Sequence, residues 1–552
     1  MPKIEISFKD LKKLVGKEID IENFEDDVLF VKGEIEEIDN DTIKIDIKDT
    51  NRPDLWSVEG IARHLRGYYG IELGMPKFDV KKSCLEVIVD KKVESVRPKT
   101  VCAIVKNLTF DDESIKQMIQ LQEKVCQTFG RKRDFAAIGV YDYDKIKWPI
   151  RYTTFKPTEL KFAPLGFEEE MTLKEILEKH PKGKEYGHLI ANHKEYPIFI
   201  DSEGNVLSMP PVINSNYTGR VDETTKNVFV EVSGHDLRYL NIALNVMVTA
   251  LKERGGEIYS VDVIYGNDKI TTPNLTPKTK EMKIEDCKKI LGIELTKEEI
   301  INLLKKSRFD VSLNGENIRV NYVPYRDDIM DWRDIAEEVA ISYGYNKIEP
   351  EEIRIWTRGK ETDLEVFSNR VREICIGVGL QEIMTFILSS KDVLLEKMGI
   401  DEPVVEIENP ISSTWSVLRN SLIPTSLEFL SKNKHVEFPQ SIFEIGDIVK
   451  PDKTMETKTK DLRNLSVTIA DIDVGYERIS SVLDAIMRNL AIEYTLKPIK
   501  DKRFIEGRSA SIIVDEKIIG IIGEIHPEVL EKFELETPVA TLEINLNDIL
   551  KS

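Results

Sequence analysis

Two short stretches hold the residues most able to do chemistry. The first is Asp328-Ile329-Met330-Asp331-Trp332-Arg333-Asp334-Ile335-Ala336-Glu337-Glu338. On a helix, Asp334, Glu337 and Glu338 fall at i, i+3 and i+4 and share a face, with Asp328 just ahead of it. Like charges at that spacing repel by a few tenths of a kcal/mol per pair, roughly. A hard divalent cation would turn the repulsion into attraction, and Mg²⁺ suits a small carboxylate set that keeps some waters. An ordinary reading competes, because acidic residues favour a helix N-terminus in any case. The second stretch is Pro210-Pro211-Val212-Ile213-Asn214-Ser215-Asn216-Tyr217-Thr218, followed by a strand pattern through Glu231 and by Ser233-Gly234-His235-Asp236. Amides and hydroxyls there can line a pocket and hold a water, or serve as turn-formers.

The elements that must position these residues are legible from periodicity. Near the N-terminus a helix pattern runs through Leu11 and Leu14, and Ile43, Ile45 and Ile47 alternate as a strand. Asn51-Arg52-Pro53-Asp54 reads as a turn, and a helix follows through Ile61, Leu65 and Tyr68. Further on, Gln117 to Cys126 reads as a helix and Ala136 to Tyr141 as a buried strand. Pro197–Ile200 and Val228–Val232 are strand candidates, Leu237–Leu251 a helix, and 266–280 a linker. Thr296-Lys297-Glu298-Glu299 is a capping box opening a helix, Asn314-Gly315 turns a hairpin, and a third helix starts near Trp332. Later, Val371 to Leu380 reads as a helix, and 512–514 with 518–522 as a hairpin.

One echo bears on the carboxylates. Asp54 precedes Ile61-Ala62 and Tyr69-Gly70 at the offsets by which Asp328 precedes Ile335-Ala336 and Tyr343-Gly344. Where the second window has Asp334, Glu337 and Glu338, the first has Gly60, Arg63 and His64. Packing of this loop-helix unit therefore does not demand carboxylates, which favours the metal reading.

The 552 residues predict three to five domains, and 41% hydrophobic with 32% charged residues supports several cores. A net charge of -20 argues against a general nucleic-acid coat, though not against one local RNA contact. Five cysteines without a CxxC pair suggest reduced thiols in a cytoplasm rather than zinc or redox work. No apolar run has the length of a signal peptide core or a membrane span. His526 before Pro527 reads as a turn, and no Gly-rich phosphate loop is present. Gly130-Arg131-Lys132-Arg133 and 497–508 are basic pieces, each a solvated surface or an RNA contact.

In order along the chain, these segments resemble the β subunits of phenylalanyl-tRNA synthetases of archaeal and eukaryotic type. The resemblance rests on Asn51-Arg52-Pro53-Asp54-Leu55 with Glu59-Gly60-Ile61-Ala62-Arg63, and on Arg131-Lys132-Arg133 with Ala137 to Asp142. It continues through Val206 to Asn214, and through Arg326 to Glu338 with Tyr343-Gly344-Tyr345-Asn346. Asn409-Pro410, Leu418-Arg419, Ser421-Leu422, Phe443-Glu444-Ile445-Gly446 and Gly523 to Val529 complete it in register.

The resemblance implies an α+β multidomain fold: an N-terminal α+β domain over 1–90, and a mixed α/β editing domain over 91–268 that hydrolyses Tyr-tRNA(Phe). A winged-helix-like domain over 272–348 and a class II synthetase-like antiparallel-sheet domain without catalytic motifs over 349–552 would follow. It implies a cytoplasmic (αβ)2 heterotetramer with no membrane, acting on tRNA(Phe), with ATP and phenylalanine held by the α subunit. No residue here would be catalytic for aminoacylation: Phe443-Glu444-Ile445-Gly446 stands where an arginine-bearing strand would bind ATP, and no Arg-ended motif 3 is found. Asp328, Asp334, Glu337 and Glu338 match the family's Mg²⁺ pattern. Asn214, Ser215, Asn216, Thr218, Glu231 and Asp236 are the expected editing residues, Asp236 foremost. Compared with the longer bacterial form, no RNA-binding domain follows residue 552 and no oligonucleotide-binding insertion is visible near residue 50, so anticodon contact is not expected. Two other readings stay open. One is a stand-alone RNA- or protein-binding scaffold derived from a synthetase. The other is a metal-dependent hydrolase, which lacks an adjacent His or Lys for activating a nucleophile.

Overall fold

A computed structural model describes residues 2–49 and 51–551. The chain divides into two compact units, 1–352 and 353–552.

The first unit uses one plan twice. Strand Lys3–Ser7, helices Phe8–Val15 and Ile21–Asp27, hairpin Gly33–Asp39/Thr42–Ile47 and helix Val58–Tyr68 form one lobe. Strand Lys278–Lys283, helices Ile284–Leu291 and Lys297–Lys306, hairpin Asp310–Asn314/Asn317–Tyr322 and helix Trp332–Tyr343 form another. In each, the last hairpin strand pairs with both others, giving the spatial order first, third, second. The Asp54/Asp328 echo is the visible part of this repeat. The capping box at Thr296 forms, with Oγ1 accepting from Glu299 N. The expected linker at 266–280 instead contains strand Asp268–Thr272 and the start of Lys278–Lys283.

Between the two lobes in chain order comes a ten-stranded mixed sheet. Val228–Gly234 is buried throughout and pairs antiparallel with Lys99–Lys106 on one side and Ala136–Asp142 on the other. Alternation assigns its faces. Val228, Val230 and Val232 pack, with Val101, Ala103 and Val105, against helix Leu237–Glu253. Phe229 turns the other way, toward Cys102, Tyr141, Tyr152, Phe199 and Leu207. The sheet curls until its edge strands Ala136–Asp142 and Ile213–Asn214 nearly meet, where Asn214 Nδ2 donates to Val140 O at 3.3 Å. The helix expected over 117–126 runs from Asp112 to Lys124 and passes into a single π turn, Val125–Phe129.

The second unit is built on a seven-stranded sheet, antiparallel apart from the short Gln381–Glu382 strand. Leu465, Val467 and Ile469 face a layer that includes helices Asp363–Gly377 and Tyr476–Leu490. Their neighbours Asn464 and Thr468 face the other way and bond Glu543 and Thr541. The first of these helices begins earlier than its apolar pattern, because Thr362 caps it by accepting from Glu365 N.

Candidate functional site

A cavity of about 340 Å³ opens where the curled sheet fails to close. Its walls come from helix Asp112–Lys124 (Met118, Gln122), edge strand Ala136–Asp142 (Ile138, Val140), and the 206–214 segment, with Glu231 between them. Such a volume suits a small ligand group.

Glu231 is the chemically distinctive residue. It is 2% exposed, and strand pairing sets it opposite Cys102 and Gly139. Gly139 is required by close approach: a Cβ there would collide with Tyr141 Oη and lie 2.8 Å from Glu231 Oε1. Tyr141 Oη sits 3.0 Å from Glu231 Oε1 and 2.8 Å from Ser208 Oγ, and its single proton serves one of them at a time. Glu231 Oε2 is buried and has no partner among the described residues. Burial pushes the Glu231 carboxyl up to about 8, against the smaller opposing effects of the Tyr141 hydrogen bond and the Arg97 charge. At neutral pH the group is therefore a neutral acid that can both donate and accept.

Of the six residues expected at this site, Asn214 and Glu231 line the cavity; the other four do not, among the described residues. Ser215 is buried and caps the short helix Asn216–Gly219, its Oγ accepting from Thr218 N at 3.3 Å and lying 3.2 Å from Thr218 Oγ1. Ser215 and Thr218 thus do turn work. Asn216 is half-buried, its N–H donating to Ala163 O. Asp236 is exposed and caps helix Leu237–Glu253, its Oδ1 accepting from Arg238 N at 2.8 Å. Tyr141, Ser208 and Arg133 lie in segments that carried the resemblance, and Arg133 in a basic piece, but none of them was expected at this site. Tyr141 was within reach, since it lies two residues from Gly139 on the same strand face.

Of the four carboxylates of the first stretch, only Asp328 and Glu338 are brought together, across Arg326. Arg326 grips Asp328 through Nε at 2.8 Å and Nη2 at 2.6 Å, and Nη2 also reaches Glu338 Oε1 at 2.6 Å. In the other lobe Arg52 grips Asp54 at 2.9 Å through the same two nitrogens, and its Nη1 reaches Glu338 Oε1 at 3.3 Å. Both arginines and Glu338 are buried. Burial would push Glu338 up, but Arg326 and Arg52 outweigh it and hold the carboxyl down at about 2. Asp334 closes a capping box, accepting from Met330 N and Asp331 N. Glu337 faces Lys32 Nζ at 3.5 Å. Among the described residues no three His, Cys, Asp or Glu side chains are placed to hold a metal. The set as it stands in this chain does not fit Mg²⁺. Asp328 and Glu338 Oε1 are taken by guanidinium groups, Asp334 by backbone N–H groups and Glu337 by Lys32. The one open oxygen, Glu338 Oε2, has no second carboxylate grouped with it for a cation.

Comparison with known proteins first defines the class. Three family models match: "Phenylalanyl tRNA synthetase beta chain CLM domain" over 351–546, "tRNA synthetase B5 domain" over 280–345 and "B3/4 domain" over 92–255. The molecule is one chain of an aminoacyl-tRNA synthetase. It is 50% identical to the phenylalanine–tRNA ligase beta subunit of Pyrococcus horikoshii over the full length of both chains. It is 42% identical to that of Methanocaldococcus jannaschii, covering 99% of this chain and all of the relative. An N-terminal fragment of the Pyrococcus horikoshii phenylalanyl-tRNA synthetase beta subunit superposes with a TM-score of 0.61 at 53% identity, covering 62% of this chain and all of the fragment. The chain belongs to the phenylalanine–tRNA ligase beta subunit family. These findings support the synthetase reading rather than the free-standing scaffold. Among the described residues no helix is long and apolar enough to cross a membrane.

Proposed function

We propose that the chain works with an α subunit, in an (αβ)2 heterotetramer in the cytoplasm, to attach phenylalanine to tRNA(Phe), and that its own chemistry is to clear tyrosine from that tRNA in the Glu231 cavity. Activation with ATP falls to the partner. In this chain Glu444 is buried and ion-paired to Arg419 at 2.7 Å, and a Cβ at Gly446 would run into that guanidinium. The strand at which a synthetase of this class would hold ATP thus presents a carboxylate whose arginine partner is already engaged, rather than an arginine free for a triphosphate. The ATP step needs a divalent cation, and no residue here is assigned to it.

Clearing is needed because a synthetic pocket that is apolar rejects an added hydroxyl only ~10²-fold. The observation that carries the reading is Glu231, a neutral acid with one oxygen unpartnered, lining the cavity beside apolar groups such as Met118, Ile138 and Val140. A tyrosine hydroxyl would donate to and accept from that acid. A phenylalanine ring would leave it buried and unpaired, which costs about 1–3 kcal/mol. Water then adds to the ester carbonyl carbon, the bond to the ribose oxygen breaks, and that oxygen leaves with a proton. Products are free tyrosine and free tRNA. Among the described lining residues there is no Cys or His, so the chain would bind and orient while water is the nucleophile. Asn214 and Gln122, whose amide nitrogens are held by Val140 O and Ile138 O, are lining amides able to orient it.

In the enzyme assembled with its α subunit, Glu231→Ala should lower Tyr-tRNA(Phe) hydrolysis by about 10²-fold or more. Charging with phenylalanine should survive. Hydrolysis at the parental rate in that variant would place the reaction elsewhere.

A further inference from the structure

The turn leaving the π turn is strained. Arg131, Lys132 and Arg133 have φ values of 47°, 54° and 70°, three consecutive non-glycine residues in the left-handed region. Each such residue costs roughly 1–2 kcal/mol. The conformation persists because its backbone is over-determined. Arg131 N donates to Thr128 O at 3.1 Å, Lys132 N to Gln127 O at 3.0 Å and Arg133 N to Cys126 O at 2.9 Å. From beneath, buried Arg97 donates to Arg133 O at 2.9 Å and Asp134 O at 3.0 Å, and also bonds Ser233 through its Oγ and carbonyl.

The turn aims one side chain into the cavity wall. Arg133 Nη1 donates to Pro211 O at 3.2 Å and Val212 O at 3.0 Å. Its Nη2 donates to Glu123 Oε1 at 2.9 Å. Its guanidinium carbon stands 4.1 Å from the Tyr186 ring centroid. Nε is buried without a partner among the described residues. Those contacts fall on three separate segments: helix Asp112–Lys124, the 209–214 loop and helix Pro181–Tyr186. Each also lends lining residues, Gln122, Asn214 and Lys182 among them.

We infer that Arg133 is a positioning residue of the Glu231 cavity, tying three of the segments that line it so that an aminoacyl ring entering it meets the Glu231 carboxyl in register. This rests on the deacylation reading above. The planar fork is what the role requires. A lysine supplies one nitrogen and cannot reach two backbone carbonyls and a carboxylate lying in different directions.

The test compares the parent, Arg133→Ala and Arg133→Lys in the enzyme assembled with its α subunit. It measures hydrolysis of Tyr-tRNA(Phe) and backbone amide exchange over 181–187 and 206–216. The alanine variant should raise KM on the order of 10–100-fold with kcat changed by less than about threefold, because the ring is misplaced while the water chemistry is intact. Lysine should not restore KM, and both variants should exchange faster in the two segments. A lysine variant that behaves as the parent would show that charge, not the fork, matters, and overturns the inference. So does unchanged exchange in Arg133→Ala. A parent that does not hydrolyse Tyr-tRNA(Phe) removes the deacylation reading instead, while exchange still decides whether Arg133 ties the walls.

Discussion

Two buried glutamates in the first unit are treated in opposite ways. Glu338 is 1% exposed and sits between Arg52 and Arg326. Glu231 is 2% exposed and has a phenol on one oxygen and nothing on the other. The same side chain is held at about 2 in one place and pushed to about 8 in the other. Burial raises both, and the neighbouring cations decide the outcome. Glu338 is the shared anion of two arginine–aspartate pairs, one from each repeated lobe, so its work is to join them. Each glutamate leaves its Oε2 without a partner among the described residues, but Glu338 is neutralised through Oε1 by two guanidinium groups. Glu231 has no such cation and lines a cavity, where an open bonding position can serve recognition.

The largest effect should come from breaking the first arrangement. Glu338→Ala leaves two buried guanidinium groups facing each other with one anion fewer. Removing one partner of a buried pair costs about 3–5 kcal/mol. A fall of that size in the stability of the chain, measured by denaturant unfolding, is expected. Glu231→Ala removes no cation's partner and should cost clearly less. If the two cost the same, the contrast drawn between them is wrong.

The contrast sharpens with pH. Glu338 ordinarily titrates near 4.5 and is held at about 2 in the folded chain, so its contribution is present above 4.5 and lost as pH falls toward 2. Glu231 moves the opposite way. Between 4.5 and about 8 the folded chain holds a proton that the unfolded chain releases, so its contribution is complete below 4.5 and is lost as pH rises to 8. Glu231→Gln should flatten the stability profile on the alkaline side, and Glu338→Gln on the acid side, read from unfolding midpoints across pH. An alkaline slope unchanged by Glu231→Gln would mean that this carboxyl is ionised in the folded chain.

Much of this contrast could be read from the chain, and the remainder has a physical reason for being hidden. Glu231 stood in a strand of β-branched residues and the Asp54/Asp328 echo was visible. The echo windows, however, begin on the aspartates, and the arginines that neutralise them lie two residues upstream, at Arg52 and Arg326. Helical spacing put Asp334, Glu337 and Glu338 on neighbouring positions but could not show that a guanidinium 286 residues away would claim one of them. The cavity was hidden for a similar reason. It forms only because a curled sheet brings Asn214 to Val140, a long-range contact that no local pattern encodes. Small hydroxyl residues carry two readings in a sequence, and here Ser215 and Thr218 bond backbone and each other, as turn-formers do.

The smallest predicted effect separates cavity from cap. In the sequence Asp236 follows a Ser233-Gly234 pair that reads as flexible, just past the end of the Glu231 strand, which made it the foremost candidate for orienting substrate. The strand instead ends at Gly234, the chain turns outward, and Asp236 meets the first N–H groups of helix Leu237–Glu253. Those groups have no partner within the helix, and a carboxylate there also faces the positive end of the helix dipole. Losing such a cap costs about 1 kcal/mol, within a range of roughly 0.5–2. Asp236→Ala should therefore lower thermal stability slightly and leave Tyr-tRNA(Phe) hydrolysis by the assembled enzyme at its parental rate. Asp236→Asn, which keeps a capping oxygen, should recover most of the stability. A large loss of hydrolysis in Asp236→Ala with stability intact would return this residue to the reaction and move the water's position from the cavity wall to the strand exit.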